Sequence, residues 1–231
     1  MDFLPHGSFT NSGSLAGGNC GDGGVGGGHG GNGGDGVVFA LSVGGFPIGS
    51  FTNSGTVTGG NGGNAGPGAP GIGGDGGIGV FGADFLTDSG KISGGLASDG
   101  VTRADAIDLV RSLTLLAGYQ IIGNVVGGPH GESTNNLIVL GGDANSQFDV
   151  SQIGSQYQNF GLFEKTGSST WTLENTTTAL TPWKIFDGIL QVSSDGALGS
   201  STGYSKTARS PSTVSAPSSF YRHSLPSVKS S

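Results

Sequence analysis

The chain has 231 residues, 50 of them glycine, with 33% hydrophobic and only 11% charged residues and a formal net charge of −7. Sixteen acidic against nine basic residues argue against a nucleic-acid groove, and a lone cysteine, Cys20, excludes a disulfide scaffold. No stretch approaches the roughly 18 apolar residues of a membrane span, and Met1 to His6 has neither the basic nor the apolar region of a secretory signal.

Glycine is unevenly placed, with 36 of the 50 in the first 100 residues, so side-chain volume for a core is concentrated between Val101 and Leu198. GSFTNSG stands at 7–13 and again at 49–55, an offset of 42, and a third copy begins at Asp88-Ser89-Gly90 after an offset of 35. Each copy sets one apolar residue (Leu15, Val57, Ile92) between an Asn/Asp-Ser-Gly turn and a glycine pair, the pattern of a short strand. Second strands are expected at Val37 to Leu41 and Ile78 to Phe81. Equivalent strands at near-constant intervals predict a right-handed parallel β-helix with like residues above like. On this reading the tracts 17–36 and 59–79 are Gly-rich loop insertions, too poor in apolar side chains to form core.

From Val101 the glycine density drops. Arg103 to Val110 fits a helical turn through Ala104, Ile107 and Val110 and a strand through Ile107 and Leu109; the all-strand context downstream selects the strand. Leu113 to Gly118, Tyr119 to Gly128 and Asn136 to Gly142 follow as strands closed by Gly or Asn, with a loop at Pro129 to Glu132.

Residues 161–199 carry two runs of alternating apolarity, Thr170 to Leu173 and Gly188 to Val192. Trp171 and Leu173 share one side of the first strand, Leu190 and Val192 one side of the second, and neither face is buried without another strand stacked on it. Lys165-Thr166-Gly167, Thr170 to Leu173, Gly188, Leu190, Val192, Asp195, Leu198 and Gly199 resemble the strand repeat of bacterial autotransporter passengers, with Ser169 where that pattern often has glycine. Leu113 to Leu115, Ile122 to Val125, Leu137 to Gly142 and Phe148 to Gly154 extend the resemblance, which then spans roughly residues 7–203. It implies a non-enzymatic stalk at the cell surface or outer membrane, or secreted, with adhesin-like contact to host or bacterial surface ligands. It also implies an export signal and cap ahead of the first repeat and a C-terminal membrane barrel, so the expectation is a fragment with a truncated or misassigned start. Trp171, Leu173, Trp183, Ile185, Leu190 and Val192 are the expected core.

The tail 204–231 is rich in serine, free of glycine and acid, and carries Lys206, Arg209, Arg222 and Lys229; it is expected to be disordered. The domain reading is therefore a Gly-rich repeat region 1–100, a β-helix 101–203 and the tail 204–231.

No catalytic, cofactor-binding or metal residue is assigned. Gly30 to Val38 satisfies the calcium nonapeptide GGxGxDxUx, but such sites need adjacent copies and none is adjacent. His6, His29, His130 and His223 are scattered, no G-x-S-x-G elbow occurs, and Asp105 and Asp108 read as solvated charges. Two other classes stand beside the stalk: a glycine-rich structural or interaction protein, and a β-helical hydrolase whose site is assembled from distant residues.

Overall fold

The computed structural model describes residues 2–3, 7–39, 49–68, 70–128, 136–200 and 213–215. The protein is all-β: parallel strands form several sheets, and the helical content among the described residues is two 3-10 turns, Val150–Gln152 and Asp195–Leu198.

Successive repeats each contribute a strand to successive sheets. The first sheet orders Asp2–Phe3, Val37–Phe39, Val80–Phe81, Ile107–Val110, Val125–Gly127 and Tyr157–Gln158. The second orders Ser8–Asn11, Ser50–Asn53, Phe85–Asp88, Ser112–Leu115, Leu137–Leu140, Leu162–Lys165 and Trp183–Ile185. Ser14–Ala16, Thr56–Thr58, Lys91–Ser93 and Gln120–Ile122 make the third. The fourth contains Ser146–Asp149, Thr170–Glu174 and Ile189–Val192, edged by the antiparallel Thr213–Ser215.

Register places like on like. Phe9, Phe51, Leu86, Leu113, Ile138, Phe163 and Trp183 form one ladder through the second sheet. Leu15, Val57, Ile92 and Ile121 form another through the third, so both repeat offsets seen in the sequence are offsets of strand pairing. A slip of one residue would turn each of these apolar rows outward, which is why the register is well specified. Phe51, Val57, Leu86, Ile92, Leu113, Ile138 and Phe163 are all buried in one continuous core.

The strand expected over 103–110 is confined to Ile107–Val110, with Leu109 in the left-handed region at φ 57 and the pairing to Val125–Gly127 shifted there. Tyr119 to Gly128 is two strands, because Gly123 takes φ 118 and turns the chain between Ile122 and Val125. Ala40 and Leu41, the loop 129–132 and nearly all of the tail 204–231 lie outside the described residues.

The glycine tracts are not loops. Each residue of a Gly-Gly-X triplet sends its N–H in a different direction, and every third one goes to the same neighbour. Gly59 and Gly62 donate to the Ser93 and Leu96 carbonyls at 2.9 Å, while Gly60, Gly63 and Gly66 donate back to Gly34, Gly31 and Gly28 at 2.8–2.9 Å. The third N–H, on Asn61 and Asn64, is accepted by the side-chain oxygens of Asn19 and Asp22 in the preceding repeat, at 2.8 and 2.7 Å. The latter half of the same tract repeats this third contact: the N–H groups of Ile72, Asp75 and Ile78 go to His29 Nδ1, Asn32 Oδ1 and Asp35 Oδ1. The period of three is that of an extended polyproline-II-type chain. Side chains are excluded between tracts, since a methyl carbon on Gly33 or Gly63 would run into the carbonyl oxygen of Gly60 or Gly21. The tracts thus pair backbone groups with one another without an apolar core.

Candidate binding surface

Two buried polar features lie inside the stack. The Asn of each Asn-Ser-Gly turn points inward: Asn11 Nδ2 donates to Asn53 Oδ1 and Asn53 Nδ2 donates to Asp88 Oδ1, both at 2.8 Å. All three side chains share a conformation, because each Oδ1 accepts from the glycine N–H two residues on (Gly13, Gly55, Gly90). The second side-chain atom of Asn11 and Asn53 is a donor aimed at the Gly13 and Gly55 carbonyls. In Asp88 that place is taken by Oδ2, buried and without a partner. Burial raises its pKa from 3.8 to about 6, against the lowering by Asn53 and the Gly90 N–H. A protonated Oδ2 restores the missing donor.

Three rungs further along the same ladder, past Leu115 and Leu140, stands Lys165. Its side chain is fully buried, and Nζ donates to the carbonyls of Thr166 (2.6 Å), Gly167 (2.7 Å) and Asp187 (3.3 Å). Burial holds the ammonium below the usual lysine pKa, partly opposed by Asp187 and Asp143. With three donors on three acceptors it ties the turn after its own strand to the next turn, a structural role.

The outward face of the fourth sheet is different, because its polar groups face solvent. Alternation in Thr170–Glu174 and Ile189–Val192 buries Trp171, Leu173, Leu190 and Val192 and turns Thr170, Thr172 and Gln191 out. An open groove of about 600 Å³ runs over this face, lined by Tyr119, Asn145, Gln147, Thr170, Thr172 and Gln191, with Ser146 at its floor. Tyr119 forms its aromatic wall; the ring stacks on Trp171 with centroids 6.0 Å apart, and its hydroxyl donates to the Gln147 carbonyl at 3.3 Å. Beneath, Trp171 is fully buried and its Nε1 donates to the Gly141 carbonyl at 3.0 Å. Burial pushes the Tyr119 phenol up to about 12, so it stays neutral at any physiological pH.

The residues weighed in the sequence fall elsewhere. Asp35 and Asn32 of the nonapeptide match, and His29, accept backbone N–H groups of the next repeat, so the motif is two Gly-Gly-Asx triplets of a packed tract. Among the described residues no three His, Cys, Asp or Glu side chains converge. Cys20 is exposed; His6, His130 and His223 lie outside the described residues. Asp105 accepts from Asn124 Nδ2, and Asp108 accepts from the Leu109 N–H at the irregularity in its strand. Trp171, Leu173, Leu190 and Val192 are buried as expected, while Trp183 and Ile185 pack partly buried against the core. The buried Asn11–Asn53–Asp88 ladder had a sequence signal, the aligned Asn/Asp-Ser-Gly turns; the groove had none, since its residues come from four separated segments.

These features define a class: an all-β protein of in-register parallel sheets, with buried polar ladders inside the stack and a solvated polar groove on the fourth sheet. No family model, curated protein or solved structure matches the chain. Among the described residues no helix is long and apolar enough to cross a membrane, which leaves strand-built barrels unaddressed.

Proposed function

We propose that the chain is part of a right-handed parallel β-helix that serves as a non-enzymatic recognition stalk, displayed at a cell surface or outer membrane or secreted, of the autotransporter-passenger kind. The observation that supports this reading is the ladder register itself. Successive repeats of unequal length place Phe9 over Phe51 over Leu86 and Asn11 over Asn53 over Asp88, so length variation is absorbed between strands while the stack continues. A stack extended in this way presents outward rows of side chains along its length, which suits contact with an extended ligand on a host or bacterial surface.

The test is binding of the purified, fluorescently labelled chain to bacterial and epithelial cells, with small-angle scattering on the same sample. Saturable binding by an elongated particle is expected; a compact particle that binds no cell type overturns the reading. A second reading, a glycine-rich structural protein, is favoured by the packed hydrogen-bonded tracts at 17–36 and 59–79. It predicts self-association through the tracts, with no cell binding, in the same experiment.

A further inference from the structure

We infer that the groove on the fourth sheet binds an uncharged, polyhydroxylated chain, a neutral oligosaccharide; this rests on the recognition reading above and names its ligand class. The lining side chains are amides, hydroxyls and one aromatic ring, with no charge among them. Gln147, Thr172 and Gln191 lie on one ladder across three adjacent strands. Groups that both donate and accept therefore recur about every 4.8 Å across the sheet. None of these three side chains has a hydrogen-bond partner among the described residues. Asn145 is half engaged: its Oδ1 accepts the Thr170 N–H at 2.8 Å, which leaves Nδ2 as a donor held in a fixed direction.

Other ligand classes fit poorly. A phosphate, nucleic acid or acidic glycan finds no cation among the described lining residues and meets Asp149 and Glu174, paired on the neighbouring rung pair. An apolar ligand would strip water from amides and hydroxyls and return no hydrogen bond. A metal ion finds no carboxylate in the lining. A sugar hydroxyl donates and accepts as these side chains do, and the C–H face of a sugar ring packs on an aromatic ring. Tyr119 supplies that ring, fixed from below by Trp171 and at its hydroxyl by the Gln147 carbonyl. The groove is open along its length, so it suits the interior of a polymer more than a chain end. Its floor is three adjacent strands of the fourth sheet over buried Trp171 and Leu173, which holds the polar row in place before the ligand arrives.

The experiment titrates the intact chain with maltohexaose, cellohexaose, mannohexaose and chitohexaose, with oligogalacturonate as the acidic control, and follows tryptophan fluorescence, since Trp171 lies under the Tyr119 wall. Saturable binding of at least one neutral oligosaccharide is expected. It should weaken about tenfold in Gln147→Ala and in Gln191→Ala, the loss of one or two hydrogen bonds, and vanish in Thr172→Lys. Circular dichroism and the thermal midpoint check that each variant is folded; Gln147 is exposed, so its truncation tests the groove even if Thr172→Lys does not fold. No saturable binding by any neutral sugar, or binding unchanged in Gln147→Ala and Gln191→Ala, or oligogalacturonate binding as tightly, overturns the inference. Cell binding that persists where no sugar binds sinks the groove and spares the recognition reading; sugar binding without cell binding does the reverse.

Discussion

The glycine-tract part of the molecule and the part that follows it stack on the same principle by opposite means. In the region 94–200 adjacent strands are held by buried side chains such as Leu113, Ile138, Phe148, Phe163, Trp171 and Leu173. Between 17–36 and 59–79 the contact is backbone on backbone, with middle glycines such as Gly60, Gly63, Gly74 and Gly77 buried and the third residue of each triplet exposed. One region gains from the removal of apolar surface from water, the other from hydrogen bonds between the peptide groups of neighbouring tracts. The lesson is that low hydrophobicity does not by itself make a segment a loop. A tract of glycines packs if every third side chain is an acceptor for the next tract's N–H.

Substitutions at four positions sharpen or break this comparison. The largest effect is expected in the apolar part: Trp171→Ala removes a fully buried indole, its hydrogen bond to Gly141 and its stacking with Tyr119, at a cost of about 3–5 kcal/mol. Chemical denaturation followed by circular dichroism reads the loss, and a change under about 1 kcal/mol would mean that the side chain does not hold this region. Next, Gly63→Ala pushes a methyl group into the Gly21 carbonyl and is expected to cost about 3 kcal/mol, far beyond the ordinary helix- or strand-propensity change. Hydrogen exchange should show the loss confined to 17–79; unchanged protection there would overturn the packed-tract description.

Asp88→Asn acts in the opposite direction and carries a pH dependence. With the folded pKa raised to about 6, the native state holds its proton while the unfolded carboxyl ionises near 3.8. Stability is therefore fully present below about pH 4, declines as pH rises to about 6 and is flat above, a loss of about 2–3 kcal/mol. Asparagine at 88 repeats the donor geometry of Asn11 and Asn53, so the variant is expected to be more stable than the parent at pH 7 and to lack the decline. Thermal midpoints at pH 4, 5, 6 and 7 measure this, and parallel curves for both proteins would count against a protonated Asp88. The smallest change is Asn32→Ala, which leaves the Asp75 N–H without its side-chain acceptor at the surface and is expected to cost about 1 kcal/mol. Asn32→Asp keeps the acceptor and should restore most of it, measured by the same denaturation.

Much of the fold was legible because repetition is a direct record of register. The two GSFTNSG copies and the Asp88-Ser89-Gly90 copy align Leu15 with Val57 and Ile92, and Asn11 with Asn53 and Asp88, which are the pairings of the strands. The alternation at Thr170 to Leu173 likewise gave the buried face of the fourth sheet. The triplet pattern Gly-Gly-Asn/Asp was present in the sequence too, but its meaning depends on an acceptor 42 or 43 residues away, as between Asp22 and Asn64 or Asp35 and Ile78. Lys165 stands at the head of Lys-Thr-Gly, yet nothing in that tripeptide says that three carbonyls will close around its ammonium.

By itself the sequence determined the repeated strands around Leu15, Val57 and Ile92, the apolar faces of Thr170 to Leu173 and Gly188 to Val192, and the order in which the three copies stack, because period and repetition are local properties of a chain. Only the tertiary structure decided that the glycine tracts pack, that Asp88 is buried with one oxygen lacking a donor, and that Tyr119, Asn145, Thr172 and Gln191 line one groove. Each of these depends on which backbone lies beside which, a relation set by the stack as a whole.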